Sequence, residues 1–579
     1  MTRAAPAAAE EQPADEPASR RAAPPERPPE RPPGRPLRRP RWLVPLVAAA
    51  LLAQMAFAMV TTAMQQTPTI DEPIYVGTAV VYLEQHSLRY NAEHPPLGKL
   101  IMATGLAFAD ARIDPAFTGA QGLLGRHVLY EAGNNAWWLM LLARLPMIVL
   151  TLLFGLVVFL FARDVLTQEM AGPVGALAAL ALYAFSPDII ANGSLATLDV
   201  PAVGFLLTST WLLWRARRRP LLYLPLAALA LGAALATKMN TLAAAPVLLL
   251  LVVLSVWHAG RSTAGTGHRA TARRLALGVA AAAGVALVAV AVVWASYLAV
   301  DPHLRWAPAR VPALGGLRGL VVDWLPFPQP YRDGMRVQFR FENKVWGGFL
   351  FGQRYQGSLW YYLPAALLVK TPLGALLMWL AGTVALVAVP RLRAAAAYLL
   401  IPTAAMLLVA LNESRNFGVR YAIFVPVFLA VAAAAVVAIR WRWAHLVAAA
   451  LVLFVAVSSL RTFPYYLPYS NEAFGGPAST HRHLHDSNVD WGQDLGRLAA
   501  HLRERYPGEP VWLVYKGSGV PAAYGIVAAD PLKVPPERVR GLLVVSNSRL
   551  ARPYGRLPTL VATSRPIDQV GYSITIYRR

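Results

Sequence analysis

The feature that most limits the possible folds is a series of apolar blocks, each near twenty residues long, separated by short basic loops. A helix rises about 1.5 Å per residue, so about twenty apolar residues cross a hydrocarbon core of about 30 Å. The blocks lie at 42–64, 137–161, 173–190, 197–214, 221–237, 240–257, 275–298, 372–389, 396–411, 419–438 and 444–460. Of the 579 residues, 56% are hydrophobic and only 15% charged, against about 25% charged in a soluble domain. The pattern predicts a polytopic α-helical membrane protein with about eleven transmembrane helices.

Charge then orients the chain. With the N-terminus in the cytoplasm, the loops after even-numbered spans carry Arg163, the run Arg215/Arg217/Arg218/Arg219, the cluster Arg261/Arg269/Arg273/Arg274, Arg391/Arg393 and Arg440/Arg442. Every one is short and basic, as the positive-inside rule expects. This use of the arginines accounts for much of the net charge of +23, so no nucleic-acid partner is expected. The absence of cysteine excludes disulfides, thiolate metal sites and cysteine nucleophiles.

Residues 1–41, rich in Pro, Arg, Ala and Glu, lack the apolar content for a core and are expected to be a disordered cytoplasmic tail. The transmembrane domain then covers 42–460, with large outer loops at 65–136 and 299–371. The remainder, 461–579, is less hydrophobic. Its runs VWLVY, GLLVVS and YSITIY read as strands and DLGRLAAHLRERY as a helix, which predicts a small extracytoplasmic α/β domain. High Ala, Arg and Pro content points to a bacterial plasma (inner) membrane.

The first outer loop places Asp71 and Glu72 directly beyond the first span, followed by His94-Pro95-Pro96-Leu97-Gly98-Lys99. A carboxylate there is open to two roles: general base toward an acceptor hydroxyl, or N-cap of a helix with Pro73 in its first turn. Asp199, heading the fourth span in LATLDVP, offers the same two readings on the same side. Lys99, Lys238, Lys370 and Arg420 fall where orientation gives no reason for a cation. Lys99 and Arg420 read as phosphate contacts; for Lys238 and Lys370, phosphate binding and snorkelling to the interface both stand. The alternating His481, His483 and His485 suit either a metal or a solvated loop, the latter favoured because a fourth ligand is missing. The stretch 486–494, with Trp491, reads more as turn chemistry than as a sugar platform.

The string IDE followed by HPPLGK resembles the first external loop of protein O-mannosyltransferases. LATLDVP, ALATK, KTP and VRYAIFVPVF resemble the wider family of phospholipid-carrier-dependent glycosyltransferases with the GT-C fold, which includes the lipid A aminoarabinose transferases. PYYLPYSNEAFGG and DSNVDWGQDLGRL are similar to a prokaryotic branch of that family. The resemblance implies that Asp71, with Glu72 beside it, is the catalytic acid and Asp199 the second acid. It implies that Lys99 and Arg420 lie near the donor phosphate, with Lys238 and His94 grouped beside them. It further implies a polyprenyl-phosphate-linked, mannose-like hexose as donor. The acceptor is a hydroxyl of protein Ser/Thr, lipid or glycan. A divalent metal held by Asp71, Glu72 and Asp199 is left open, and no metal ligand is assigned.

The rival reading is a transporter or flippase of lipid-linked sugars. It expects charges buried in mid-span and symmetric halves, whereas the polar groups here collect at one end of the spans.

Overall fold

The structure, a computed structural model, describes residues 42–166, 172–261, 267–304, 311 and 313–579. The tail expected at 1–41 lies outside the described residues. Residues 44–579 form one compact unit.

Helices follow the apolar blocks closely. The first half contains α1 (Leu43–Gln65), α2 (Glu72–Gln85), α3 (Leu97–Leu106), α4 (Ala136–Val165), α5 (Gly172–Ala184), α6 (Pro187–Gly193), α7 (Asp199–Ala216), α8 (Pro220–Thr237), α9 (Ala245–Ala259) and α10 (His268–Leu298). The second half contains α11 (Gln329–Glu342), α12 (Tyr362–Lys370), α13 (Leu373–Ala388), α14 (Arg393–Ala410), α15 (Phe424–Ala433), α16 (Ala444–Thr462) and α17 (Leu495–Arg505).

Against the expected count of about eleven spans, length and hydropathy support a smaller number of candidates. Among the described residues, seven helices are long and apolar enough to cross a membrane, or nine if two bent pairs each count as one. All eleven blocks do form helix, but two of them fail that test. Helix α7 is bounded by Asp199 and Arg215 and carries Thr208, Ser209 and Thr210; it packs chiefly against α8 and α4, so protein surrounds most of it. The segment Phe424–Ala438 is short, almost wholly buried, and tightens into a 3₁₀ turn at its end.

The two bent pairs have a local cause. Pro187 opens α6 after an extended Ser186 and turns the chain by 60° from α5. In the KTP string, Thr371 and Pro372 are both extended and turn α12 from α13 by 118°. Proline has no N–H to continue a ladder and disfavours helix in the residue before it. The KTP bend carries Lys370 inward, where its ammonium donates to the carbonyls of Leu467 and Asn488 and stands 3.3 Å from Asp188. Lys370 thus neither snorkels nor lines the cavity described below.

A short hairpin, β1 (Gly347–Leu350) and β2 (Gln353–Gln356), precedes α12. The C-terminal segment holds the three expected strands, β3 (Val511–Val514), β4 (Leu542–Ser546) and β6 (Ile574–Arg578), plus an unexpected β5 (Arg565–Val570). Their order is β3-β4-β6-β5, with β3 parallel to β4 and the other pairs antiparallel. Alternate residues of β4 serve two cores: Leu542 and Val544 meet Leu495, Leu498 and Leu502 of α17, while Leu543 and Val545 meet Leu557 and Leu560. That is the period-two logic of a strand covered on both faces.

Candidate active site

The site is built around the short link between α1 and α2. Its backbone is tied down by residues more than four hundred positions later. Thr67 N–H donates to the Gln493 carbonyl (3.0 Å), Ile70 N–H to the Trp491 carbonyl (3.0 Å), and the Ser518 hydroxyl to the Ile70 carbonyl (2.9 Å). The turn that supplies these acceptors needs glycine: Gly492 has φ +92°, and a Cβ there would meet Gly517 Cα at 2.7 Å.

Held in this way, Asp71 occupies the N-cap position of α2, yet its side chain makes no capping hydrogen bond. Its Oδ2 instead accepts from Arg420 Nη1 at 2.6 Å. Of the two local readings, the capping one therefore fails in the structure.

Glu72, one residue on, is fully buried and points elsewhere. Its Oε1 accepts from Arg144 Nε (2.7 Å) and Ala196 N (2.8 Å). Its Oε2 accepts from Arg144 Nη2 (2.7 Å), Thr69 N (2.9 Å) and Thr69 Oγ1 (3.0 Å). Burial, the largest influence, pushes this carboxyl up, but the Arg144 charge and the hydrogen bonds outweigh it and hold it below its usual range. The expectation that Glu72 joins Asp71 at the reacting centre is corrected: its lone pairs are taken, and it knots α2, α4 and the Leu195–Thr197 link together.

Lys99 requires a similar correction. Its ammonium is fully buried and donates to Asn91 O (3.1 Å), Asn91 Oδ1 (2.9 Å) and His94 O (2.7 Å). All three of its protons are used to fold the Asn91–His94 turn, and burial pushes its pKa down to about 7. It supports the wall from behind. His94, at the front of the same turn, does face the cavity; its Nδ1 has no hydrogen-bond partner. Burial and then the positive charge of Lys238 depress its pKa well below the usual imidazole value, so it is neutral.

Asp199 and Lys238 pair at 2.6 Å. Lys238 lines the cavity, and Asp199 stands behind it, nearly closed off from solvent. Arg420 follows Gly418, where a Cβ would come within 2.0 Å of Ser487 Oγ. A side chain at 418 would displace the Ser487 hydroxyl from the 486–488 turn, where Val419 N–H donates to Asn488 Oδ1.

These elements enclose a cavity of about 610 Å³. Its lining carries the polar Asp71, His94, Lys238, Glu413, Arg415 and Arg420 and the apolar Met239, Leu242, Ala243, Met335, Phe339 and Val409. Arg415 is paired with Glu342 at 2.7 Å. Glu413 has its carboxyl pushed up to about 7 by burial and by the neighbouring Glu342 charge. A cavity lined by both cations and hydrocarbon suits an amphiphile with an anionic head.

The structure thus gathers Asp71, His94, Lys238 and Arg420 on one cavity with Asp199 behind, and leaves Glu72 and Lys99 out of it. Sequence reasoning missed Arg144, Glu342, Glu413 and Arg415, and read Trp491 only as part of a turn. Arg144 carried a usable signal, as a charge inside the apolar block 137–161.

Among the described residues, no group of three or more His, Asp or Glu side chains stands ready for a metal. His483 lies edge-on to Phe351 and Phe474, and His485 to Phe349 and Phe417.

The class that the helices define is that of polytopic membrane proteins. More narrowly, residues 49–303 match the family described as PMT, dolichyl-phosphate-mannose-protein mannosyltransferase. This agrees with the resemblance carried by IDE and HPPLGK. The match contains Asp71, His94, Asp199 and Lys238 and stops before Arg420. Among solved structures, the chain is similar to ArnT from Cupriavidus metallidurans, both apo and bound to undecaprenyl phosphate. Each is 15% identical with a TM-score of 0.43, covering 93% of this chain and 97% of that one. The S. cerevisiae protein O-mannosyltransferase Pmt1-Pmt2 complex bound to the sugar donor is 16% identical, with a TM-score of 0.36, covering 53% of this chain and 39% of that one. No curated protein sequence matches the chain significantly.

Proposed function

We propose that the protein moves a mannose-like hexose from a polyprenyl-phosphate carrier to a hydroxyl of protein, lipid or glycan. The reaction takes place on the extracytoplasmic face of a bacterial plasma membrane, with the basic loops in the cytoplasm and residues 461–579 outside. One observation carries the reading: the carboxylate of Asp71 meets the guanidinium of Arg420 on the wall of a cavity lined by both charged and apolar side chains.

In the resting chain the two side chains neutralise each other. An incoming donor phosphate competes for Arg420 and frees Asp71. The acceptor hydroxyl then attacks the anomeric carbon and gives its proton to Asp71. The bond from that carbon to the phosphate oxygen breaks, and the electron pair leaves with the lipid phosphate. A phosphate leaving group needs positive charge more than a proton, and Arg420, assisted by Lys238, supplies it. Asp199 fixes the Lys238 ammonium. A single displacement inverts the anomeric centre.

The test uses purified protein in nanodiscs with labelled polyprenyl-phosphate mannose, following release of lipid phosphate and label on an acceptor. Asp71→Asn is expected to lower turnover by about 10²–10⁴-fold while undecaprenyl phosphate still binds. Turnover retained by that variant overturns the assignment of Asp71.

A further inference from the structure

The turn at 486–494 has so far only been described as a tie, yet Trp491 touches one member of the ion pair and holds the residue before the other. Its indole lies under the guanidinium of Arg420, with Cζ 4.3 Å from the ring centroid. Its carbonyl accepts the N–H of Ile70, the residue before Asp71. The side chain is fully buried, and the turn is braced independently: Trp491 N–H donates to Gln493 Oε1, and Asp490 accepts from Gly492 N and Ser548 N.

We infer that Trp491 is a positioning residue for the transfer reaction: its ring sets the plane of the Arg420 guanidinium, and its carbonyl sets where Asp71 begins. The inference rests on the proposed role of Arg420. A guanidinium is planar, and its donors lie in that plane. One face is taken by Trp491 and a second aromatic, Tyr421, stands 5.0 Å away. Nη1 is used by Asp71 and Nη2 donates to the Tyr421 hydroxyl at 3.4 Å, while the buried Nε has no partner. With the plane fixed by stacking, the guanidinium needs no further ordering when a phosphate arrives and takes the place of Asp71. An ammonium has no plane to hold, so the contribution of Trp491 disappears if position 420 is lysine.

That difference supplies a test that simple packing would not pass. Trp491→Leu and Trp491→Phe are made in the native protein and in the Arg420→Lys background. Binding of undecaprenyl phosphate in nanodiscs, sugar transfer and melting temperature are then measured. With Arg420 present, Trp491→Leu is expected to weaken undecaprenyl-phosphate binding about tenfold. Trp491→Phe, which keeps a ring, costs about threefold or less and supplies the comparison should the leucine variant misfold. In the lysine background the leucine change has an effect under about twofold. An equal factor in both backgrounds overturns the inference, as does a phenylalanine variant as impaired as the leucine one. Absence of sugar transfer by the native protein strikes only the glycosyltransferase reading, because the binding ratios report on Trp491 without it.

Discussion

Asp71 and Glu72 are neighbours in sequence with opposite surroundings, and exchanging each acid for its amide should separate their roles. Glu72→Gln preserves size but replaces one carboxylate oxygen with an NH₂ group. Whichever oxygen is lost, the amide faces at least two donors: Arg144 Nε and Ala196 N on one side, or Arg144 Nη2, Thr69 N and Thr69 Oγ1 on the other. Arg144 then keeps its charge in a fully buried place without a counterion. Breaking one partner of a buried pair costs about 3–5 kcal/mol. A compact unit of about 500 residues has an unfolding entropy near 1 kcal/mol/K at about 2 cal/mol/K per residue. The expected fall in melting temperature is therefore about 3–5 °C. Spans that stay helical in detergent contribute less entropy, which makes that value a floor. The assay is the monodisperse fraction left after heating purified protein, with Asp71→Asn beside it. Asp71 is partly exposed, and its variant should melt near the native temperature while losing transfer. A Glu72→Gln protein that melts normally yet is inactive would refute the division and return Glu72 to the chemistry.

Two further outcomes follow from the cavity wall. Between pH about 4.5 and 7 the folded chain keeps a proton on Glu413 that the unfolded chain has released. Its destabilising effect is therefore absent below pH about 4.5, grows as the pH rises and is full at pH 8. Glu413→Gln should match the native stability at pH 4 and exceed it at pH 8 by an amount of the order of 1–3 kcal/mol, read as a higher melting temperature; parallel curves would exclude it. Lys99→Met should lower the melting temperature, because three acceptors in the Asn91–His94 turn lose their donor. A normally melting Lys99→Met protein with lost undecaprenyl-phosphate affinity would instead return Lys99 to the donor site.

What could be read from sequence follows the range of the forces involved. Apolar blocks and their breaks are local, and every block became helix. Segments α7 and Phe424–Ala438 form helix yet fall short of the length or hydropathy of a span, because protein surrounds most of each and fewer apolar residues are needed there. Asp71, Arg420, Asp199 and Lys238 were recognised from residue type and position. Their pairing across hundreds of residues appears only in three dimensions. Glu72 and Lys99 were misassigned because a charge beside a functional residue looks the same in sequence whether its hydrogen bonds are free or taken. Neighbouring aromatics, alike in sequence, show the same limit. Trp360 and Tyr361 are exposed as interfacial residues, whereas Tyr362, Tyr466 and Tyr469 are buried.

The ties between Thr67 and the 491–495 turn also impose an order of events during synthesis. The segment bearing Asp71 leaves the ribosome early, while the residues that hold it come more than four hundred positions later. At about 5–20 residues per second the interval is roughly 20–80 s. Throughout that time the carboxylate has neither its guanidinium partner nor its backbone anchors, so a nascent or prematurely terminated chain presents no assembled centre to the carrier lipids around it.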